Sequence, residues 1–152
     1  MITLGLRAAP KFVTFAVFDS EGDIIVNVED IQVPSAFAWP EALKYVRSSV
    51  LDVLREFKVE QAGIRTTEPI AKSPSIERMQ IEGVIQEAFA SSSLIKYFAG
   101  PIAVGAAVLG IDRTNFKPMA KEGRNDMDVD NWDGMSEARR EAVLYAMAAV
   151  NA

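Results

Sequence analysis

The stretch Leu4-Gly5-Leu6-Arg7-Ala8-Ala9-Pro10, with the alternating run Val13-Thr14-Phe15-Ala16-Val17-Phe18 behind it, decides the fold. Ile2 to Leu6 alternates between apolar and small or polar residues and stops at turn formers, as a short half-buried strand does. Lys11 to Phe18 reads as a second strand. Asp19-Ser20-Glu21-Gly22-Asp23 is a hairpin turn, with Gly22 expected to take the positive φ that such turns need. Ile24 to Val28, running on towards Val33, is the third strand. The chain therefore opens as an antiparallel meander.

Further on, the period lengthens. Pro34 to Pro40 is a connection, with Phe37 and Trp39 expected to pin it to the core. From Pro40, Leu43, Val46, Val50, Val53, Leu54 and Phe57 recur at helical spacing. Lys58 to Gln61 ends that helix, and Ala62 to Thr66 is apolar enough for a buried parallel strand. Ser73-Pro74 is a helix-start signal, a cap followed by proline in the first turn. Ile76, Met79, Ile81, Val84, Ile85, Ala88 and Phe89 give the helix after it a wide apolar face. Leu94 to Phe98 reads as a strand, and Gly100-Pro101 opens a short alanine-rich helix reaching Leu109. Residues 110 to 135 show no period and read as a long loop. Ser136 caps a last helix to Val150, with Val143, Leu144, Met147 and Val150 facing inward. Three antiparallel strands followed by alternating helices and strands predict a mixed five-stranded sheet flanked by helices, one α/β domain over 1–152.

Composition narrows the chemistry. The chain has 152 residues, enough for one domain with a sizeable core. Its net charge of −5 argues against strong non-specific nucleic-acid binding, which draws its affinity from Lys and Arg on phosphates. With no cysteine and no histidine, a disulfide framework, a thiolate zinc site and an imidazole base are all excluded. Any catalysis must rest on carboxylates, hydroxyls, Lys, Tyr or a bound metal. No apolar run reaches membrane-spanning length, and no basic region followed by an apolar one suggests a secretory leader. A cytoplasmic location is the expectation.

In element order and lengths the chain resembles the ribonuclease-H-like fold, and within it the Holliday-junction resolvases of the RuvC type. Leu4-Gly5-Leu6-Arg7 matches the family's first strand, which ends in an aspartate. Gly63-Ile64-Arg65 matches the central strand, which ends in a glutamate. Tyr97-Phe98-Ala99 with Val104 to Gly110 matches a strand and short helix. Glu141 to Met147 matches the last helix, whose start carries the closing aspartates. The resemblance implies carboxylates converging at strand ends on two Mg²⁺ ions, which activate water and stabilise the leaving oxygen. It also implies a homodimer, with nucleic acid or a DNA-processing protein as partner.

At those positions this chain carries Arg7, Arg65, Ala138 and Glu141, only the last an acid. Two guanidiniums at neighbouring strand ends repel a divalent cation and stay protonated. The expectation is a degenerate site with no catalytic residue and no cofactor: a non-catalytic nucleic-acid-associated or protein-binding regulatory module. Three readings of the arginines stay open. Arg7 and Arg65 pair with Glu141, Glu68 or another acid and tie the sheet to the last helix. Alternatively they grip a phosphate, nucleotide or carboxylate through two forks. In the third, a nuclease survives with Mg²⁺ on relocated carboxylates drawn from Glu68, Glu77, Glu82 or Asp112, Glu68 being the nearest in sequence.

The region from 110 to 135 has its own constellations. Asp126, Asp128 and Asp130, with Glu137 eleven residues after the first, echo a calcium loop. Asn131 stands where such a loop needs glycine, and Asp133 where it needs an apolar residue. The alternative is an acidic solvated loop feeding a helix N-terminus. Arg113, Lys117, Lys121 and Arg124 surround Phe116, as a nucleic-acid contact with a stacking ring would, or as ordinary surface would. Arg139-Arg140 reads as an exposed pair. Trp132, Phe37 and Trp39 read as core anchors or, if exposed, as a patch for a partner.

Overall fold

The computed structural model describes residues 1–152. Strand β1 (Ile2–Ala8) pairs antiparallel with β2 (Phe12–Asp19), which pairs antiparallel with β3 (Ile24–Gln32). Helix α1 (Trp39–Glu56) crosses to β4 (Gln61–Arg65), parallel to β1, and α2 (Ile76–Ala90) crosses to β5 (Lys96–Gly100), parallel to β4. The sheet order is β3-β2-β1-β4-β5, the mixed five-stranded sheet that the sequence predicts. Then come α3 (Ile102–Leu109), a short α4 (Phe116–Ala120) and α5 (Glu137–Ala148).

The period of two splits β1 between two cores. Leu4, Leu6 and Ala8 face α1 and α2, where Val46, Val50, Leu54, Ile81, Ile85 and Phe89 complete an aliphatic core. Thr3, Gly5 and Arg7 face α5. There the Thr3 hydroxyl donates to the Ala146 carbonyl at 2.6 Å, and Gly5 lies beneath the helix backbone. A Cβ on Gly5 would stand 2.0 Å from the Ala142 carbonyl oxygen, so this strand and helix approach closely only because the side chain is absent.

Several local expectations shift. The left-handed residue of the first hairpin turn is Asp23 (φ 51°), not Gly22; an aspartate tolerates that region through its short polar side chain. Helix α2 is capped by Ser75, whose hydroxyl accepts from the Arg78 N–H, rather than by Ser73. Its buried stripe runs back from Phe89, Ile85 and Ile81 to Glu82 and Arg78. That leaves Ile76 and Met79, expected inside, exposed. Strand β5 lies two residues later than Leu94 to Phe98.

Phe37 is exposed and packs edge-to-face on Tyr45, while Trp39 is half-buried against the first core. Residues 110 to 135 are not a plain loop. They hold a 3₁₀ turn (Arg113–Asn115), α4 and a second 3₁₀ turn (Trp132–Gly134), pieces too short to display a period. Phe116, Met119 and Trp132 are buried in the second core, under α5. No helix is long and apolar enough to cross a membrane.

Candidate functional site at the strand ends

Arg7 and Arg65 are register partners at the carboxyl ends of the parallel pair β1–β4, and both side chains point to the α5 face. The two strands present the same series on that face: Thr3, Gly5 and Arg7 on one, Gln61, Gly63 and Arg65 on the other. The Gln61 amide donates to the Ala149 carbonyl at 2.7 Å, as Thr3 does to Ala146. The polar residues fix α5 over the sheet, the glycines admit it, and the arginines meet its acidic first turns.

Glu141 is the hub. It is 2% exposed. Arg7 Nε donates to its Oε2 at 2.8 Å, and Arg7 Nη1 donates to the Ala8 carbonyl. Arg65 Nε stands 3.7 Å from the same oxygen, an ion pair too long for a hydrogen bond. Arg65 turns its other nitrogens to the Thr66 carbonyl and to Glu68, 3.5 Å away. Glu68 also accepts from the Ile102 N–H, the first of α3, at 3.1 Å. Of the roles open to it, Glu68 takes that of an ion-pair partner rather than a relocated metal ligand, and it staples Arg65 to a helix N-terminus.

Sequence reading missed a second buried pair beside this one. Glu82 on α2 accepts from the Thr67 N–H and hydroxyl and from Arg78 Nε at 2.9 Å. Burial, and after it the positive charge of Arg7, hold the Arg78 guanidinium below its ordinary value. Arg7, Arg65 and Arg78 therefore share one neighbourhood with Glu141, Glu68 and Glu82. The signal that could have found it was the helical period, which carries the α2 stripe through Arg78 and Glu82. Arg65 Nε and Arg78 Nη2 are buried without a hydrogen-bond acceptor. Ala138, half-buried one turn before Glu141, offers only a methyl group.

The relocated carboxylates do not converge, and no three acids stand where they could share a metal ion. Glu77 and Asp112 are exposed. Asp112 caps its own 3₁₀ turn, and the Thr114 N–H and hydroxyl hold its carboxyl below the usual range. Nor does the calcium-like series gather. Asp126 is held by Arg124, Glu137 opens α5, and only Asp128 and Asp130 remain together on the loop. The spacing matched, but Asn131 in the left-handed region leads straight into the Trp132 turn, not into a ligand-closing loop.

Phe116 cannot stack on a base: it is fully buried, edge-on to Tyr145. The Arg139-Arg140 pair is not free surface either. Arg140 donates to the Trp132, Ala120 and Asp133 carbonyls over the Trp132 ring, and Arg139 pairs with Asp30.

Beside Glu68, beyond the ends of β4 and β5, a cleft of about 470 Å³ is walled by Pro101, Ile102, Arg113 and Lys117. Arg113 and Lys117 are exposed, and neither lies in an ion pair.

A Thermus thermophilus RuvC in complex with a Holliday junction substrate superposes on this chain with a TM-score of 0.74. Identity is 15%, covering 99% of this chain and 94% of that one. The fold is that of the RuvC-type resolvases. A second Thermus thermophilus RuvC structure gives a TM-score of 0.70 at 15% identity with the same coverage. The yeast mitochondrial Holliday junction resolvase gives 0.60 at 10% identity, covering 98% of this chain and 78% of that one. No protein-family model and no curated protein matches the sequence. The RuvC-like fold is thus shared end to end at identities where side-chain chemistry has to be read from this chain alone.

Proposed function

We propose that this chain is a non-cleaving RuvC-like protein that associates with branched nucleic acid. The observation that carries the reading is the Arg7–Glu141–Arg65 cluster. Where the resemblance calls for oxygen ligands around Mg²⁺, the strand ends carry two guanidiniums, and the one acid present is consumed in neutralising them. Mg²⁺ requires several hard oxygen donors in near-octahedral order. A buried carboxylate already shared by two cations is a poor start on such a shell. The cleft by Glu68 supports the nucleic-acid part. It lies beyond the carboxyl ends of the parallel strands, where open α/β sheets take ligands, and Arg113 and Lys117 are free to meet phosphates there.

The test is a labelled four-way DNA junction incubated with the protein in Mg²⁺ or Mn²⁺. A retarded complex without cleavage products is expected. Arg113→Ala with Lys117→Ala should weaken the complex and lower the salt dependence of log K by about 2, one unit for each phosphate that is no longer neutralised. Metal-dependent cleavage abolished by Glu141→Gln would establish the relocated nuclease instead. The two orphaned donors, Arg65 Nε and Arg78 Nη2, favour one other reading, a small anion held by Arg7 and Arg65. Stabilisation by inorganic phosphate that Arg65→Gln removes would support that reading.

A further inference from the structure

On the far edge of the sheet, about 480 Å³ of open groove lies between β3 and the segment 127–135. Every residue from Asp23 to Val28 borders it. A cavity over one face of a strand touches alternate residues, so contact with consecutive ones means the backbone edge itself forms a wall. That edge is open: β3 pairs only with β2, and no backbone or side-chain hydrogen bond from 127–135 reaches it. Proteins ordinarily protect such an edge with a bulge, a proline or a covering element. β3 has one such device, a bulge that leaves Val26 without a partner on β2, but no proline, and Ile24 and Val26 remain 56% and 48% exposed.

The groove has a floor and a charged rim. Ile25, Val28, Met127, Met135 and Met147 line it, and methionine adapts its shape to varied apolar partners. Asp23, Asp128 and Asp130 stand around it without an ion-pair partner, while Arg139 is already taken by Asp30. The far wall is held in place, because the Asn125 side chain donates to the Val129 carbonyl and accepts from its N–H.

We propose that this edge and groove bind an extended segment of a partner protein, with basic and apolar residues alternating, as a sixth strand beside β3. Main-chain hydrogen bonds supply affinity in such strand addition, and pockets for alternate side chains supply specificity. One set of side chains enters the methionine-lined floor, and the other meets the three free carboxylates. The charge also decides against a second copy of this chain, whose own edge would bring the same acids and whose net charge is −5. This surface is separate from the strand-end cluster and holds whatever the fate of the nucleic-acid reading.

The probe is a fluorescein-labelled ten-residue peptide alternating lysine and valine. Its controls are the glutamate–valine peptide and the lysine–valine peptide N-methylated at alternate residues. Anisotropy should show micromolar binding of the first, at least tenfold weaker binding of the N-methylated form, and none of the acidic form. Hydrogen exchange should slow at β3 amides. The triple variant Asp23→Asn/Asp128→Asn/Asp130→Asn should bind at least fivefold more weakly. Asparagine suits the left-handed backbone at Asp23 and Asp128, so the fold is kept. Equal binding of the N-methylated peptide, unchanged binding by the triple variant, or no binding of any peptide at 1 mM would overturn the proposal. So would sedimentation showing a dimer that protects β3.

Discussion

The two faces of the sheet are built on different principles. The α1/α2 face is a layer of Val, Leu, Ile and Phe, closed by side-chain volume except at one end, where the Arg78–Glu82 pair meets Thr67. The α5 face is narrow and pinned. Gly5 admits the helix backbone, Thr3 and Gln61 tie it by hydrogen bonds, and Tyr145 donates to the Gly100 and Pro101 carbonyls. Glu141 sits between two arginines at the end. An aliphatic layer tolerates exchange of one hydrocarbon for another. A pinned interface does not, because each polar group there is matched to one partner and is left unsatisfied without it. The candidate site lies on the pinned face, where the helix position is fixed most tightly.

The sharpest way to break this contrast is a single methyl group. Gly5→Ala places a Cβ against backbone that cannot rotate away, and we expect a loss of more than about 4 kcal/mol, or no folded protein, by urea denaturation and circular dichroism. Glu141→Gln comes next. It leaves Arg7 and Arg65 without their shared carboxylate, and removing one partner of a buried pair costs about 3–5 kcal/mol.

Tyr145→Phe should cost about 1 kcal/mol for its missing hydrogen bonds. It also tests pH dependence. Burial raises the Tyr145 phenol above its ordinary value, so the folded chain keeps that proton after the unfolded chain has lost it. The resulting stability is full below about pH 10 and declines as pH rises further. The phenylalanine variant should show a shallower decline in urea midpoints between about pH 9 and 11.

On the aliphatic face, Ile85→Val should cost only about 0.5–1.5 kcal/mol. Smallest, and of opposite sign, is Gly83→Ala on the outer side of α2, where a Cβ meets nothing within 4 Å. In a helix interior it should stabilise by roughly 0.5–1 kcal/mol. A destabilising Gly83→Ala, or a neutral Gly5→Ala, would show that the faces do not differ as described.

What sequence reading reached follows the same division. The aliphatic face was legible because a repeated period of 3.6 or 2 marks which side of an element is dry, as with Val46, Val50 and Leu54. The placement of Arg7 and Arg65 together was what the resemblance implied, through the strand order it carries, and the register of β1 and β4 bears it out. Their partners were left open among several acids. Arg78 was passed over, and Glu82 was weighed only as a metal ligand, because charge within an apolar stripe reads as its boundary, whereas here each neutralises the other under Thr67. The region 110–135 misled for another reason. Phe116 is buried against Tyr145 of α5, distant in sequence, and no local period records that packing, whereas Trp132 takes the core-anchor role that was one of its two readings.

By itself, then, the sequence determined the mixed sheet, the order of its elements and the presence of an arginine at the end of each of two strands. These depend on local periodicity and on residue identity at strand ends. Only the tertiary structure decided which carboxylate those cations share, that the calcium-like series does not close, and that β3 leaves an open, acid-rimmed edge. Each of these is a matter of a few ångströms between groups, and such distances are set by packing rather than by spacing.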